Sequence, residues 1–239
     1  MTDTPDKMVA TEGGPAIAAC VFDAYGTLFD VASPTRRLEG RIGPKAAELS
    51  VLWRTRQTEY TWLRSLMDRY ADFWQVTGES LDFAMAAIGL DDPSLRARLM
   101  ELYLTLDAYP DVAPMLDVLR GRGVRTAILS NGSPTMLTAA VSHAGLRDRL
   151  DVVMTVDAAQ IYKPHPAVYQ MACDRFKLPA ERIAFVSSNG WDVAGASTFG
   201  FRTVWLNRVG NPRERLPGTP IAEIQGLDTL PEVIAGVRP

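Results

Sequence analysis

Five short apolar runs, each ending in polar or turn-forming residues, constrain the fold of this 239-residue chain more than any other feature. The runs cover residues 17–22, 124–129, 151–156, 183–186 and 203–206. The first run is apolar at every position, which is typical of a strand buried between two helical layers. Segments with helical patterns separate the runs, and this alternation predicts an α/β fold built on a parallel sheet.

About a hundred residues separate the first run from the second, far more than the ~10–12 residues that a plain crossover needs. Pro44 is suited to the first turn of a helix, and Asp92 followed by Pro93 marks a second helix start. Apolar side chains follow both starts at helical spacing: Leu49, Trp53, Tyr60, Leu63, Met67 and Tyr70, then Leu95, Leu99, Leu102 and Leu106. We therefore expect an α-helical cap, inserted after the first strand, that covers the ends of the strands.

This organisation predicts two domains and a leader. The core domain comprises residues 16–30 and 108–239, and the helical cap domain comprises residues 31–107. Residues 112–122 are expected to form a core helix that Gly123 ends. Residues 1–15 lack the apolar stretch of a signal peptide and are expected to form a flexible leader.

Charge and composition exclude several kinds of partner. The net charge is −3 and no long run of like charge occurs, so we expect no nucleic-acid partner. The apolar stretches are shorter than the ~20 residues that span a bilayer, so we expect no membrane partner. Of the two cysteines, Cys20 lies in the first apolar run and is expected to be a buried free thiol. This cysteine usage favours the cytoplasm.

Polar side chains follow the strands at the points where they end. Asp23 comes directly after the first run, where a buried carboxylate is costly unless other groups stabilise it. Taken alone, Asp23 is also compatible with a residue that only caps a turn. Ligands of open α/β sheets bind beyond the carboxyl ends of the strands. The other candidates in this position are Ser130, Asn131, Lys163, Ser187, Asn189 and Asp192.

The order of these groups resembles the four motifs of the haloacid dehalogenase superfamily. The chain has Asp-x-x-Gly-Thr at residues 23–27, then Ser-Asn at 130–131, Lys-Pro at 163–164, and Ser-x-Asn with a later Asp at 187–192. The resemblance implies a Rossmann-like parallel sheet core, the haloacid dehalogenase-like fold, with the cap inserted after the first strand. It also implies that Asp23 is a nucleophile, that Thr27 orients its loop, and that Lys163 favours its carboxylate form.

The residue two positions after Asp23 separates two reactions within this superfamily. Phosphatases of this kind usually carry a second aspartate there, which protonates the leaving alkoxide. This chain has Tyr25, a phenol with a reference pKa near ~10 that is a poor general base at neutral pH. A halide leaves as a stable anion and needs no proton. Displacement of halide from carbon is therefore favoured over two alternatives, a magnesium-dependent phosphatase and a non-catalytic protein that binds partners through its cap.

Two segments resemble the L-2-haloacid dehalogenases more closely, residues 52–67 in the first cap helix and residues 186–192, which contain Trp191. The resemblance implies hydrolysis of a small 2-haloalkanoic acid, without cofactor or metal, by a homodimer that pairs through the cap. Periodicity alone does not separate Arg54 from Arg56, Arg64 and Arg69, so a solvent-exposed Arg54 is the alternative. Thr58 stands where relatives carry a larger apolar residue, which leaves substrate size open.

The resemblance gives each candidate a role. By this resemblance, Arg54 and Asn131, with Phe73, receive the halide. We further expect Ser130, with nearby backbone N–H groups, to hold the substrate carboxylate, and Asp192 to be the base of the second step. The residues expected to act in catalysis are Asp23, Thr27, Arg54, Ser130, Asn131, Lys163, Tyr169, Ser187, Asn189 and Asp192. Those expected to bind substrate are Tyr25, Arg54, Phe73, Ser130, Asn131 and Trp191.

Overall fold

A computed structural model describes residues 17–237, so the predicted leader at residues 1–15 lies outside the described residues. Six parallel strands form one sheet. They are β1 (Ala19–Phe22), β2 (Arg125–Ser130), β3 (Val152–Thr155), β4 (Ile183–Ser187), β5 (Arg202–Leu206) and β6 (Ala222–Ile224). Their order across the sheet is β3-β2-β1-β4-β5-β6, so β1 lies between β2 and β4. The α/β fold with a parallel sheet is therefore confirmed.

Helices occupy the insertion after β1 and both faces of the sheet. Those in the insertion after β1 are α1 (Ser33–Arg37), α2 (Glu39–Ile42), α3 (Ala46–Leu66), α4 (Phe73–Ala87) and α5 (Pro93–Tyr103). Those that follow are α6 (Val112–Gly121), α7 (Pro134–His143), α8 (Pro166–Phe176), α9 (Gly190–Phe199) and α10 (Leu230–Ala235). None of the helices within residues 17–237 combines the length and the apolar character needed to cross a bilayer.

The predicted strands are all present, with their ends shifted by one or two residues, but β6 was not predicted. Only three residues long, β6 follows a Pro- and Gly-containing segment and is too short to show a periodic pattern. The expected core helix is confirmed as α6. Cys20 is a buried free thiol, as expected.

The helix expected from Leu49 to Tyr70 is shorter than its apolar spacing predicted. Helix α3 ends at Leu66, and the left-handed backbone of Asp68 (φ 53°) prevents its continuation through Met67 to Tyr70. A separate helix, α4, then begins after Asp72, whose side chain accepts hydrogen bonds from the backbone N–H groups of Trp74 and Gln75. The Asp72 side chain thus satisfies two of the four N–H groups that lack partners at the start of a helix.

The register of the central strands brings polar side chains to one edge of the sheet. Phe22 pairs with Ile128 of β2 and with Val186 of β4, so these three strands end at nearly the same level. The backbone N–H of Asp23 extends the ladder by donating to the Val186 carbonyl at 2.9 Å. Gly26, with φ 88°, then permits the tight turn that returns the chain towards the insertion. Asp23 thus lies at the end of the central strand, beneath the inserted helices.

Candidate active site

Asp23 is almost completely buried, and three donors compensate for the hydration that its carboxylate loses. Lys163 Nζ donates to Oδ1 at 2.9 Å. Asn189 Nδ2 donates to Oδ2 at 2.8 Å, and Thr27 Oγ1 donates to the same oxygen at 3.0 Å. A carboxylate with charged and neutral donors on both oxygens is satisfied in its ionised form. The alternative that Asp23 only caps a turn does not account for this set of partners.

Lys163 joins Asp23 to a second buried carboxylate. Its Nζ also donates to Asp192 Oδ2 at 2.7 Å, and Tyr169 donates its hydroxyl proton to Asp192 Oδ1 at 2.8 Å. Burial alone would lower the pKa of Lys163, but Asp192 and Asp23 outweigh burial and raise that pKa. Burial raises the pKa of Asp192 to about 6, with Lys163 opposing the shift and Asp23 adding to it.

The loops after β1 and β4 are tied together beside Asp23. The backbone N–H of Ser188 donates to Thr27 Oγ1 at 2.9 Å, and that of Asn189 donates to Ser187 Oγ at 3.1 Å. The Ser187 hydroxyl itself lies 3.5 Å from Asp23 Oδ2. These contacts fix the turn that aims the Asn189 amide at the carboxylate.

The residues after β2 differ in what they offer to a ligand. Asn131 Oδ1 accepts a hydrogen bond from the backbone N–H of Lys163 at 3.1 Å. Within residues 17–237 its Nδ2 has no protein acceptor, so both of its N–H groups remain available to a ligand. Ser130 Oγ accepts from the Gly132 N–H at 3.0 Å and does not line the cavity. Gly132 has no room for a side chain, because a Cβ atom would lie 2.6 Å from Cε2 of Tyr25.

A narrow cavity separates Asp23 from the inserted helices. Most of its lining residues were predicted, and Thr61 was not. The lining residues are Asp23, Tyr25, Arg54, Thr58, Thr61, Phe73, Asn131, Asn189 and Trp191. The predicted residues that lie behind the cavity wall are Thr27, Ser130, Lys163, Tyr169, Ser187 and Asp192.

Aromatic rings form the apolar part of the wall. The ring centroids of Tyr25 and Phe73 are 5.5 Å apart, and those of Trp191 and Trp62 are 5.3 Å apart in a T-shaped arrangement. Burial raises the pKa of Tyr25 well above its usual value. Its hydroxyl has no hydrogen-bond partner among the described residues. Tyr25 therefore contributes an apolar ring and a neutral hydroxyl to the cavity.

Arg54 reaches the cavity from α3, so the alternative of a solvent-exposed Arg54 is wrong. Its Nη2 lies 3.3 Å from the Tyr25 carbonyl oxygen and 3.3 Å from Asn189 Oδ1. Its Nη1 donates to Gln57 Oε1 at 2.9 Å. On the same helix, Arg56 instead forms an ion pair on the outer face with Glu59.

The sequence did not single out Gln57 and Thr61, although both are buried on α3. They continue a four-residue spacing that begins at Leu49 and Trp53. That spacing was the available signal, because side chains four apart share one face of a helix. Polar residues in a buried stripe are obscured when only apolar residues are counted.

Comparison with known proteins places this arrangement in a family. Residues 17–200 match the family model described as haloacid dehalogenase-like hydrolase. The chain is 48% identical over 219 residues to (S)-2-haloacid dehalogenase 1 of Pseudomonas sp. (strain CBS-3), covering 91% of this chain and 96% of that protein. It is 50% identical over 200 residues to (S)-2-haloacid dehalogenase 4A of Burkholderia cepacia, covering 83% and 87%.

A solved structure agrees in sequence and in shape. It is an L-2-haloacid dehalogenase from Xanthobacter autotrophicus with chloropropionic acid covalently bound. The sequence identity is 37%, the TM-score is 0.87, and the match covers 93% of this chain and 100% of that one. From the match over most of its length and from these identities, the chain belongs to the haloacid dehalogenase-like hydrolases, within the group of the (S)-2-haloacid dehalogenases.

Proposed function

We propose that this protein hydrolyses short (S)-2-haloalkanoic acids to (R)-2-hydroxyacids and halide, with Asp23 as the nucleophile. The observation that carries the proposal is the cavity itself. A buried carboxylate forms its floor, and the donors of Arg54 and Asn131 lie in its walls. The relatives are (S)-2-haloacid dehalogenases, and one structural neighbour holds chloropropionic acid covalently.

In the first step, a carboxylate oxygen of Asp23 attacks C2 of the substrate from the side opposite the halogen. The C–O bond forms as the carbon–halogen bond breaks, which inverts C2 and leaves an ester between Asp23 and the substrate. Negative charge moves to the halide as it departs. Arg54 and the N–H groups of Asn131 stabilise this charge, and donors aimed at developing charge in a dry site have large effects on rate.

The remaining contacts orient the substrate. Backbone N–H groups that follow β2 bind the substrate carboxylate, and Ser130, behind the cavity wall at the end of β2, holds that loop by accepting from the Gly132 N–H. The rings of Tyr25, Phe73 and Trp191 form an apolar wall for the alkyl group. Such a wall excludes water from the reacting carbon.

In the second step, water attacks the carbonyl carbon of the Asp23 ester, and Asp192 takes up the water proton. The bond between the Asp23 carbonyl carbon and the alkoxy oxygen then breaks, and the departing alkoxide takes the proton back from Asp192. The second water proton leaves to solvent, which regenerates the Asp23 carboxylate and frees the hydroxyacid. A base is most effective when its pKa lies near the working pH, and burial raises the pKa of Asp192 to about 6. Lys163 and Tyr169 hold the Asp192 carboxylate in place.

The decisive experiment measures halide release from the two enantiomers of 2-chloropropionate, with EDTA present. We expect release from the (S) enantiomer only, and none from the Asp23→Asn variant. A phosphatase would instead cleave p-nitrophenyl phosphate in a Mg²⁺-dependent manner. That outcome would overturn the proposal, and so would a protein inert towards both substrate classes.

A single turnover in oxygen-18 water tests the ester intermediate. With enzyme in excess over substrate, the label should enter the Asp23 carboxylate and be detected by mass spectrometry of the peptide that contains it. Label that appears directly in the hydroxyacid would exclude the ester. The control exchanges the labelling: enzyme labelled beforehand with oxygen-18 reacts in ordinary water, and the label should then appear in the hydroxyacid.

We further propose a cytoplasmic homodimer with a core domain at residues 16–30 and 108–239 and a cap domain at 31–107. The insertion of α1 to α5 between β1 and β2 supports this division. Exposed apolar side chains on the inserted helices, among them Leu63, Leu66 and Phe83, support pairing through the cap. The unpaired cysteines support the compartment. Light scattering after size-exclusion chromatography tests the dimer.

A further inference from the structure

A buried glutamine in the inserted helices lies directly behind Arg54. Gln57 is on α3, is 1% exposed, and makes three side-chain hydrogen bonds. Its Oε1 accepts from Arg54 Nη1 at 2.9 Å and from the Tyr103 hydroxyl at 3.1 Å. Its Nε2 donates to Thr77 Oγ1 at 2.7 Å. The side chain thus connects the cavity wall to α4 and α5.

The hydrogen-bond pattern fixes the orientation of the Gln57 amide. Thr77 has a single hydroxyl proton, and it donates that proton to the Phe73 carbonyl oxygen at 2.6 Å. The Thr77 oxygen must therefore accept, so the NH₂ group of Gln57 faces α4 and its oxygen faces Arg54. A flipped amide would place donors against a guanidinium and leave buried groups without partners.

The partners of Arg54 share a second property, because all of them are neutral. They are the Gln57 amide oxygen, the Tyr25 carbonyl oxygen and the Asn189 amide oxygen. Within the described part of the chain Arg54 forms no ion pair, whereas Arg64 on the same helix pairs with Glu79. A carboxylate behind Arg54 would cancel much of its charge in a site of low dielectric. An amide holds the group and leaves the charge uncancelled.

We propose that Gln57 is a positioning residue, which holds the Arg54 guanidinium at the cavity through a neutral acceptor so that its positive charge acts on the departing halide. The inference rests on the proposed function. It adds the residue that holds the Arg54 guanidinium at the leaving-group site and leaves its positive charge uncancelled. Gln57 does not touch the substrate, since it does not line the cavity. It acts through Arg54.

The test compares two variants with a matched control. Gln57→Glu keeps the size and the oxygen that faces Arg54, but it adds a negative charge and replaces the donor to Thr77 by an acceptor. Gln57→Leu removes the acceptor for Arg54 altogether. Ser80→Ala is the control, because Ser80 is buried on α4 and its hydroxyl bonds only to the Thr77 carbonyl oxygen, at 3.0 Å. Its removal costs the cap a buried hydrogen bond without altering Arg54.

Each variant is measured in two ways. The first is kcat and KM for (S)-2-chloropropionate and (S)-2-bromopropionate. The second is bromide affinity in the Asp23→Asn background, measured by quenching of tryptophan fluorescence, since Trp191 lines the cavity.

For Gln57→Glu we expect kcat to fall about tenfold or more, with KM little changed, and bromide affinity to weaken by about the same factor. The loss of kcat should be larger for (S)-2-chloropropionate than for (S)-2-bromopropionate, because chloride is the poorer leaving group. Ser80→Ala should stay within about twofold on both measures.

The outcomes separate this inference from the proposed function. Wild-type kcat and bromide affinity in a folded Gln57→Glu variant would overturn the role of Gln57 while the dehalogenase activity stands. If neither Gln57 variant folds, Thr77→Val removes the acceptor that orients the Gln57 amide. Arg54 should then shift, bromide affinity should weaken by about two- to fivefold, and an unchanged affinity would overturn the inference. A wild-type protein that binds bromide but releases no halide would refute the proposed function alone.

Discussion

The floor of the cavity, around Asp23, and its wall on α3, around Arg54, stabilise their charges in opposite ways. The floor pairs two carboxylates, Asp23 and Asp192, with one shared ammonium group, that of Lys163. The wall presents one guanidinium, that of Arg54, whose partners within residues 17–237 are neutral oxygens. The cation of the floor is therefore engaged with the protein's own anions, and the cation of the wall is available to an anion from outside.

This difference assigns separate tasks to separate parts of the chain. The ends of β1 and β4, with the loop that carries Lys163, determine how the nucleophile is held. Helix α3 determines how the leaving group is received. Changes in the floor should therefore abolish chemistry for every substrate, whereas changes in the wall should alter which halide or which acid reacts best.

Replacing Lys163 by Met should break the floor and give the largest effect. Two buried carboxylates without a shared cation cannot both stay ionised, so one takes up a proton and the nucleophile or the base is lost. We expect kcat for (S)-2-chloropropionate to fall by about a thousandfold or more. Steady-state halide release measures the loss. Lys177→Met, at an exposed lysine, provides the control; equal activity in both variants would remove Lys163 from the mechanism.

Replacing Tyr169 by Phe should change the pH dependence of the second step. The pKa of Asp192 is raised to about 6, so its base form is complete well above that pH and is lost as the pH falls through it. The hydrogen bond from Tyr169 lowers this pKa, so its removal raises the pKa and moves the acid limb to higher pH. We expect a shift of about one unit, with a loss of rate of up to about tenfold on the acid limb and less than about twofold near neutral pH.

The measurement is the pH profile of ester hydrolysis in single-turnover experiments. In the ester, Asp23 carries no charge and no longer raises the pKa of Asp192, so the wild-type limb should lie at or below about pH 6. The Asp192→Asn variant serves as the control, because it should lose the limb together with the activity. An acid limb that stays in place when Tyr169 is replaced would argue against Asp192 as the base.

The two regions also differ in how far the sequence predicted them. The contact between Asp23, Lys163 and Asp192 agrees with a simple rule, that polar groups following parallel strands meet at one edge of the sheet. The order and direction of the strands determine where these groups lie. The residues of the floor could therefore be predicted from the strand ends alone, without any resemblance to known proteins.

The wall depends on how helices pack, and residue patterns carry a weaker signal for that packing. The four arginines after Trp53 are equivalent by periodicity, and resemblance rather than spacing selected Arg54. Helix α4 was not predicted, so the face of α3 that it covers, which includes Gln57 and Thr61, could not be known. Which side of a helix is buried is a tertiary property.

Replacing Thr58 by Leu should sharpen the contrast with the smallest effect, because it changes the wall and leaves the floor intact. Thr58 lines the cavity, and its hydroxyl donates only to the Arg54 carbonyl, at 3.0 Å. Leucine would occupy part of the cavity and exclude longer alkyl groups. We expect kcat/KM for 2-bromobutyrate to fall about tenfold relative to bromoacetate, with kcat for bromoacetate little changed. Thr58→Val, of equal size, should keep the wild-type ratio; a shift there instead would mean that the hydroxyl, not the volume, sets the preference.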